Sequence, residues 1–161
     1  MRKTYRILAS TIAILVVVQA MMIVWAVAGL FTWIDDGATL DKSVIEDWAD
    51  EPPTFDGALG HFIHAVIVGG SGGIGLIPLL GLILLIVSFF AKVPRGVALA
   101  AAIAVSIAVQ ILAGMFAEPE QPLLGLVHGL NAFILFGLAL FASRSAKEAA
   151  DVAPGAPAAA M

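Results

Sequence analysis

The chain has 161 residues, of which 61% are hydrophobic and 12% are charged, and its formal net charge is −4. A soluble domain carries about 25% charged residues and about 45–50% apolar residues, and a small one buries only about two-thirds of its surface. The composition therefore excludes a soluble enzyme, a nucleic-acid-binding protein and a disordered regulator, and it predicts an integral membrane protein. The chain contains no cysteine, which excludes disulfides and thiolate chemistry.

Four stretches of the sequence are apolar enough to cross a bilayer as helices, because a hydrocarbon core of about 30 Å needs about 20 apolar residues. They contain no Asp, Glu, Lys or Arg and comprise residues 7–33, 59–91, 96–117 and 122–142. Short connections after the second and third stretches make those neighbouring helices antiparallel. The predicted fold is all-α, an integral membrane up-down bundle of four helices within residues 1–145.

The charged residues are sorted by sign along the chain. Ten of the twelve acidic residues lie in the loop 34–58 or between the third and fourth spans. Seven of the eight basic residues lie before the first span, between the second and third, or after the fourth: Arg2, Lys3, Arg6, Lys92, Arg95, Arg144 and Lys147. Under the positive-inside rule, both termini are predicted to be cytoplasmic and the acidic loops to lie outside.

The first span has a competing interpretation as a cleaved signal peptide, because Ala26, Val27 and Ala28 fit the small-residue rule for a cleavage site. However, the apolar stretch 7–33 is much longer than a signal h-region of about 7–15 residues. It also continues past the candidate site to Trp33. The length favours an uncleaved membrane anchor.

Two segments outside the spans differ in character. In the acidic outer loop 34–58, Val44, Ile45 and Trp48 recur at helical spacing, and Ser43 with Glu46 forms a capping box. This pattern predicts a short amphipathic helix on the outer membrane interface. The segment 146–161 is rich in Ala and Pro and is predicted to be a disordered cytoplasmic tail.

Three histidines are the only ionisable groups in or near the predicted spans, and all lie toward the outer side. His61 and His64 share one face of the second span, and His128 and Asn131 share one face of the fourth. His64 and His128 both lie about 8–9 Å below the outer boundary, at 1.5 Å per residue. Two imidazoles at one depth in a helical bundle are what axial ligation of b-type haem requires.

The haem hypothesis assigns roles to the other polar and small residues near the two ligands. His61 is an alternate ligand or a partner for a haem propionate. Gln110 and Asn131 orient the imidazoles by hydrogen bonds. Gly72, in the glycine-rich stretch 69–75, lets a flat macrocycle approach the backbone.

The second span is so long that His64 and His128 would not lie at the same depth if depth were counted from the cytoplasmic ends of their helices. From His64 to Ala91 a straight helix would extend about 40 Å, whereas from His128 to Ala142 it would extend about 21 Å. Either a tilt or a break at the glycine cluster before Pro78 is needed to absorb the difference. The sequence does not choose between them.

Each of these residues also has a purely structural interpretation. Histidines and amides such as Gln19, Gln110 and Asn131 commonly hydrogen-bond one membrane helix to another. The glycine-rich stretch contains the small-residue spacing of close helix packing, with Gly69 and Gly73 four residues apart. On this interpretation, the polar residues hold the bundle together and bind no cofactor.

Three motifs resemble a family of small four-span actinobacterial membrane proteins that is known as a domain of unknown function. They are the basic start at residues 1–6, the segment 55–64 followed by a span and the turn 92–95, and the segment 126–132. The resemblance covers about residues 1–145 and implies a multi-pass protein of the bacterial inner (plasma) membrane. Family members often have a histidine soon after the Phe-Asp pair, where this chain has Gly57 and Ala58, so the resemblance assigns no role to His61. A looser, fold-level resemblance links the chain to bacterial four-helix b-type membrane cytochromes.

Two functions follow from the sequence. The first is electron transfer through haem b between a quinol-level donor, which implies a quinone as partner, and an acceptor at the outer face. The second is a non-catalytic accessory or scaffold protein, which would associate with a larger membrane complex. A third, small-solute transport, lacks the intramembrane carboxylate that usually couples such transport.

Overall fold

The computed structural model describes residues 1–48, 52–69, 74–116 and 121–151. Every regular element in these ranges is an α-helix, which confirms the all-α prediction. The helices are α1 (Arg2–Asp35), α2 (Lys42–Asp47), α3 (Ala58–Val68), α4 (Leu76–Ala91), α5 (Gly96–Met115) and α6 (Pro122–Asp151).

Three of the described helices are long and apolar enough to cross a membrane. They are Arg2–Asp35, Gly96–Met115 and Leu123–Asp151, which contain the first, third and fourth predicted spans or most of them. Large apolar side chains remain exposed along them, as expected of helices that face lipid rather than water. Length and composition thus support a multi-pass membrane protein.

The second predicted span, 59–91, is divided between two helices. α3 has 11 residues and α4 has 16, so neither reaches the length of a full span on its own. α3 ends because Gly69 adopts a left-handed backbone conformation, with φ 101°. The backbone of Gly75 lies directly against Val68 and Gly69, where a side chain would not fit. Of the two alternatives that the sequence left open, the structure therefore has the break, and the stretch 59–91 forms two helices.

The short helix predicted in the loop 34–58 forms but is capped by a different residue. Asp41 precedes α2, and its Oδ1 accepts hydrogen bonds from the backbone N–H of Ser43 (3.0 Å) and of Val44 (3.2 Å). The Ser43 hydroxyl also donates to this oxygen, at 2.7 Å. Ser43 therefore lies inside the helix, and the predicted capping box is replaced by an aspartate cap.

The helix of the fourth predicted span, α6, continues beyond the predicted boundary. α6 is helical to Asp151, so residues 146–151 belong to a helix and not to the predicted disordered tail. Alanine, lysine and glutamate are good helix formers, and Ala146 is buried. The remainder of the predicted tail lies outside the described residues.

The chain divides into two compact units. The first unit comprises Met1–Val16 and Ile77–Met161, and the second unit comprises Val17–Leu76. The largest fully buried side chains belong to the first unit: Tyr5, Ile12, Leu84, Ile103 and Leu135.

In the first unit, the start of α1 lies beside the α4–α5 turn and the far part of α6. The Tyr5 hydroxyl donates to the Gly96 carbonyl at 2.9 Å, in a buried position. The hydroxyls of Ser10 and Ser143 are hydrogen-bonded at 2.7 Å. These contacts make α1 and α6 antiparallel and bring the basic segments of the first unit to one end.

In the second unit, glycines allow α3 to approach α1 closely. A Cβ atom on Gly60 would lie 2.6 Å from the Met22 carbonyl oxygen, and one on Gly57 would lie 2.7 Å from the Trp25 carbonyl oxygen. No real Cβ contact is that short, so both positions require glycine. The close approach places the histidine-bearing face of α3 against the backbone of α1.

Candidate functional site

A buried polar network joins α5 to α6 in the first unit. The Asn131 amide nitrogen donates to the Ser106 carbonyl at 2.8 Å and to Gln110 Oε1 at 2.6 Å. The Ser106 hydroxyl donates to Asn131 Oδ1 at 2.9 Å. All three side chains are buried. Asn131 thereby satisfies polar groups that lipid would leave without partners.

His128 lies one helical turn from Asn131 and contacts the same part of α5. Its Nδ1 is 3.0 Å from the Gln110 carbonyl oxygen. A Cβ atom on Gly114 would lie 3.1 Å from both Nδ1 and Cε1 of this ring. Gly114 therefore leaves the space into which the imidazole packs, one turn beyond Gln110.

The side-chain amide of Gln110 is only partly hydrogen-bonded by the residues that the structure describes. Its Oε1 accepts from Asn131, which fixes the orientation of the amide because the opposite orientation would place two NH₂ groups together. The Nε2 group is buried and has no hydrogen-bond partner among the described residues. Gln110 thus connects His128, through its backbone, with Asn131, through its side chain.

The second unit holds its own histidine in a similar way. Nδ1 of His64, on α3, is 3.3 Å from the backbone carbonyl oxygen of Gln19, on α1. The Gln19 side chain is buried. In both units, a histidine of one helix is therefore bonded to the backbone of a neighbouring helix at a glutamine.

The two hydrogen bonds indicate the tautomer of each neutral ring. A carbonyl oxygen only accepts, so Nδ1 carries the proton in each ring, and in the neutral form Nε2 carries the lone pair. This is the arrangement in which a histidine binds a metal ion through Nε2 while its other nitrogen is held by a carbonyl group.

His61 occupies an aromatic environment in the second unit. Its ring is edge-on to Trp48, with centroids 5.5 Å apart, and Trp48 also lies 5.9 Å from Phe55. The Trp48 Nε1 group is buried without a hydrogen-bond partner among the described residues. His61 and His64 therefore contact different surroundings although they share a face of α3.

The predicted site residues are distributed over both units. The structure brings together His128, Gln110 and Asn131 in the first unit, whereas His61 and His64 belong to the second. Gly72 lies outside the described residues. Within those residues, no group of three or more His, Asp or Glu side chains is close enough to hold a metal ion. Ligation by two histidines does not require such a group.

Sequence reasoning missed two members of the first-unit network. Ser106 and Gly114 lie four residues before and four residues after Gln110, so all three occupy one face of α5. That spacing was the available signal. It indicates a small and polar stripe within an otherwise apolar helix.

Comparisons of the chain with protein-family models, with curated proteins and with solved structures give no match.

Proposed function

We propose that the protein is a four-span protein of the bacterial plasma membrane, with both termini in the cytoplasm. In support, the start of α1, the α4–α5 turn and the far part of α6 lie at one end of the first unit. Most basic residues of the chain are in these segments. The positive-inside rule assigns such an end to the cytoplasm. In this proposal, α3 and α4 together serve as the second span.

We further propose that the protein binds b-type haem through His64 and His128 and transfers electrons between a quinol-level donor and an acceptor at the outer face. The observation that supports this proposal is that both imidazole rings form the same hydrogen bond, from Nδ1 to a backbone carbonyl oxygen. Each holds its Nδ1 proton against a backbone carbonyl oxygen, which directs its ligand capacity to Nε2. Each ring therefore has the tautomer in which a histidine would bind haem iron.

Gln110, Asn131 and Gly114 position His128 and do not contact the iron in this proposal. The Gln110 carbonyl holds His128, the Asn131 amide holds the Gln110 side chain, and Gly114 gives the ring its space. His61 is the alternate ligand or the partner of a propionate group. When bound, haem b supplies one-electron redox chemistry, and the protein supplies ligands, orientation and an apolar surrounding.

An absorption spectrum of the purified, detergent-solubilised protein tests this proposal. We expect a Soret band with the sharp visible bands of a low-spin, six-coordinate haem. His64→Ala and His128→Ala should each abolish the low-spin bands. Phe62→Leu, at a 61% exposed position on the same helix as His64, is the matched control and should retain them.

A colourless protein, purified after expression with added haem precursor and unchanged by titration with hemin, would contradict haem binding. So would low-spin bands that survive in both the His64→Ala and the His128→Ala variant.

A second function, a non-catalytic accessory or scaffold protein in a larger membrane complex, is favoured by the Ser106–Asn131–Gln110 network. Its hydrogen bonds connect α5 and α6 without any added group. Here the His128 bond is one more link between helices. His128→Ala would then lower thermal stability in a protein that carries no cofactor, and a larger complex would copurify with the native chain.

A further inference from the structure

We propose that Arg2, Lys92 and Arg95 form a binding site for the phosphate headgroup of anionic phospholipids. The site lies in the first unit, where α4 ends and α5 begins. It rests on the proposed membrane placement and is independent of haem binding.

The backbone of the α4–α5 turn provides the first observation. Lys92 has φ 51° and Arg95 has φ 56°, and among the described residues these are the only non-glycine positions with a positive φ. Glycine adopts this left-handed conformation most easily, and asparagine follows. The chain instead places a cation at both positions. Backbone geometry does not explain this choice, whereas a requirement for charge does.

Arg2 brings a third cation to the same turn. Its Nε donates to the Lys92 carbonyl at 3.3 Å, and its Nη1 donates to the Ala149 carbonyl at 3.2 Å. The guanidinium group has more N–H donors than these two bonds use. Arg2 is thereby fixed beside the turn.

The carboxylates of this end do not neutralise the cations. Glu148 and Asp151 are exposed on α6, and within the described ranges neither forms an ion pair with any of the three basic residues. The only ion pair found there joins Lys42 and Glu46, in the second unit.

The neighbouring surface is suited to lipid. Phe89 and Phe90, on the last turn of α4, are both 65% exposed. Aromatic side chains at this position are typical of the membrane interface, where headgroup phosphates lie. Guanidinium and ammonium groups are the usual partners of a phosphate diester, and basic pockets between cytoplasmic helix ends bind anionic headgroups.

Native mass spectrometry of the protein in a neutral detergent tests the proposal, with phosphatidylglycerol compared against phosphatidylcholine. The test variant is Lys92→Gly/Arg95→Gly, which removes both charges and relieves the left-handed backbone. The matched control is Arg144→Ala/Lys147→Ala, which removes two charges from α6 near the same end. One cation near a membrane surface contributes about a fivefold factor to binding, so we expect the glycine variant to bind phosphatidylglycerol about 25-fold more weakly.

The control should lose less than about fivefold in affinity for phosphatidylglycerol, and phosphatidylcholine binding should be equal in all variants. The glycine variant should be at least as heat-stable as the parent without lipid, because glycine suits both φ values. If it is less stable, Lys92→Asn/Arg95→Asn replaces it, since asparagine tolerates the same backbone. An equal loss of affinity in test and control variants overturns the site, as does an unchanged affinity in the test variant. Displacement of the lipid by low millimolar inorganic phosphate overturns the assignment to a lipid.

Discussion

The Asn131 amide bonds to both Ser106 and Gln110, so its loss affects more than one residue. Asn131→Leu would leave the Ser106 hydroxyl and Gln110 Oε1 without their present partner in an apolar surrounding. We expect the free energy of unfolding to fall by about 1–3 kcal/mol, which is the usual effect of an unsatisfied buried polar group. Thermal unfolding of the solubilised protein measures this loss.

A second substitution distinguishes the loss of hydrogen bonds from a general packing effect of leucine at position 131. Gln110→Leu combined with Asn131→Leu removes both amides, and Ser106 can then bond to a carbonyl of its own helix. The double variant should recover most of the lost stability. Phe133→Leu is the control on the same helix, because Phe133 is 78% exposed. An Asn131→Leu variant as stable as the parent would rule out a stabilising role for the network.

Gly114 is predicted to be intolerant of any larger residue because of the His128 ring. Gly114→Val would force the imidazole away from the Gln110 carbonyl, since even a Cβ atom would lie only 3.1 Å from the ring. We expect a loss of about 1–3 kcal/mol in stability, as for other overpacked sites. The His128 side-chain nitrogen resonances should also shift.

Gly137→Val is the matched control for this prediction. A Cβ atom on Gly137 has nothing within 4 Å, and the residue lies on α6 like His128. Its substitution should be neutral or slightly stabilising, because glycine is a poor helix former. Equal effects of the two valines would show that the Gly114 contact is unimportant.

At the scale of one element, the stability of α2 depends on the charge of its cap. The pKa of Asp41 is lowered from its usual value, first by the hydrogen bond from the Ser43 side chain and then by that from the Val44 backbone. A lowered folded-state pKa means that the cap stabilises α2 above the unfolded-state pKa. This stabilisation is lost as the pH falls through the folded-state pKa. We expect NMR chemical shifts of residues 42–47 to report loss of helix as the pH falls below the ordinary aspartate pKa of about 3.9.

Asp41→Asn separates the cap from its charge. Asparagine is an equally good N-cap and does not titrate, so α2 should persist to lower pH, whereas Asp41→Ala should weaken α2 at every pH. Asp47→Asn, at the other end of α2, is the control and should leave the acid transition in place. An acid transition unchanged by Asp41→Asn would assign it to another group.

The elements show which features of the fold could be predicted. The long helices could be predicted because their apolar stretches are uninterrupted by charged residues, and such stretches do not occur in a small soluble domain. The sequence allowed either a tilt of the second span or a break at its glycines. It could not decide between them, because whether a glycine breaks a membrane helix depends on the packing around it. The cap of α2 was assigned to Ser43 because the capping-box pattern fits it. Asp41 caps the helix instead, because one oxygen of its carboxylate accepts hydrogen bonds from two backbone N–H groups and from the Ser43 hydroxyl.

The candidate site was predictable in its side chains and not in its backbone partners. His128, Gln110 and Asn131 are rare polar residues in apolar spans. They could be identified because a polar side chain in hydrocarbon has a high free-energy cost and therefore needs a partner. The carbonyl groups of Gln19 and Gln110 carry no sequence signal, because every residue has one. Only the packing of two helices decides which carbonyl a histidine meets.

At the scale of the whole molecule, the absence of native cysteine makes the proposed topology directly testable. Thr39→Cys places a thiol in the outer loop, and Glu148→Cys places one on the exposed surface of α6. In intact cells, a membrane-impermeant maleimide should label Thr39→Cys and should label Glu148→Cys only after permeabilisation.

Leu130→Cys, on the exposed apolar face of α6, is the control for lipid burial and should react under neither condition. Labelling of both thiols in intact cells, or the reverse pattern, would contradict cytoplasmic termini. Either result would also remove the membrane placement on which the phospholipid site depends.

The length of α1 has a consequence for the bilayer itself. Its apolar stretch 7–33 is about 40 Å long as a helix, against a hydrocarbon core of about 30 Å. Tilting alone would need about 40°, which is the upper limit for transmembrane helices. The helix would therefore have to tilt strongly, thicken the bilayer around it, or do both, and we expect long acyl chains to match it better than short ones.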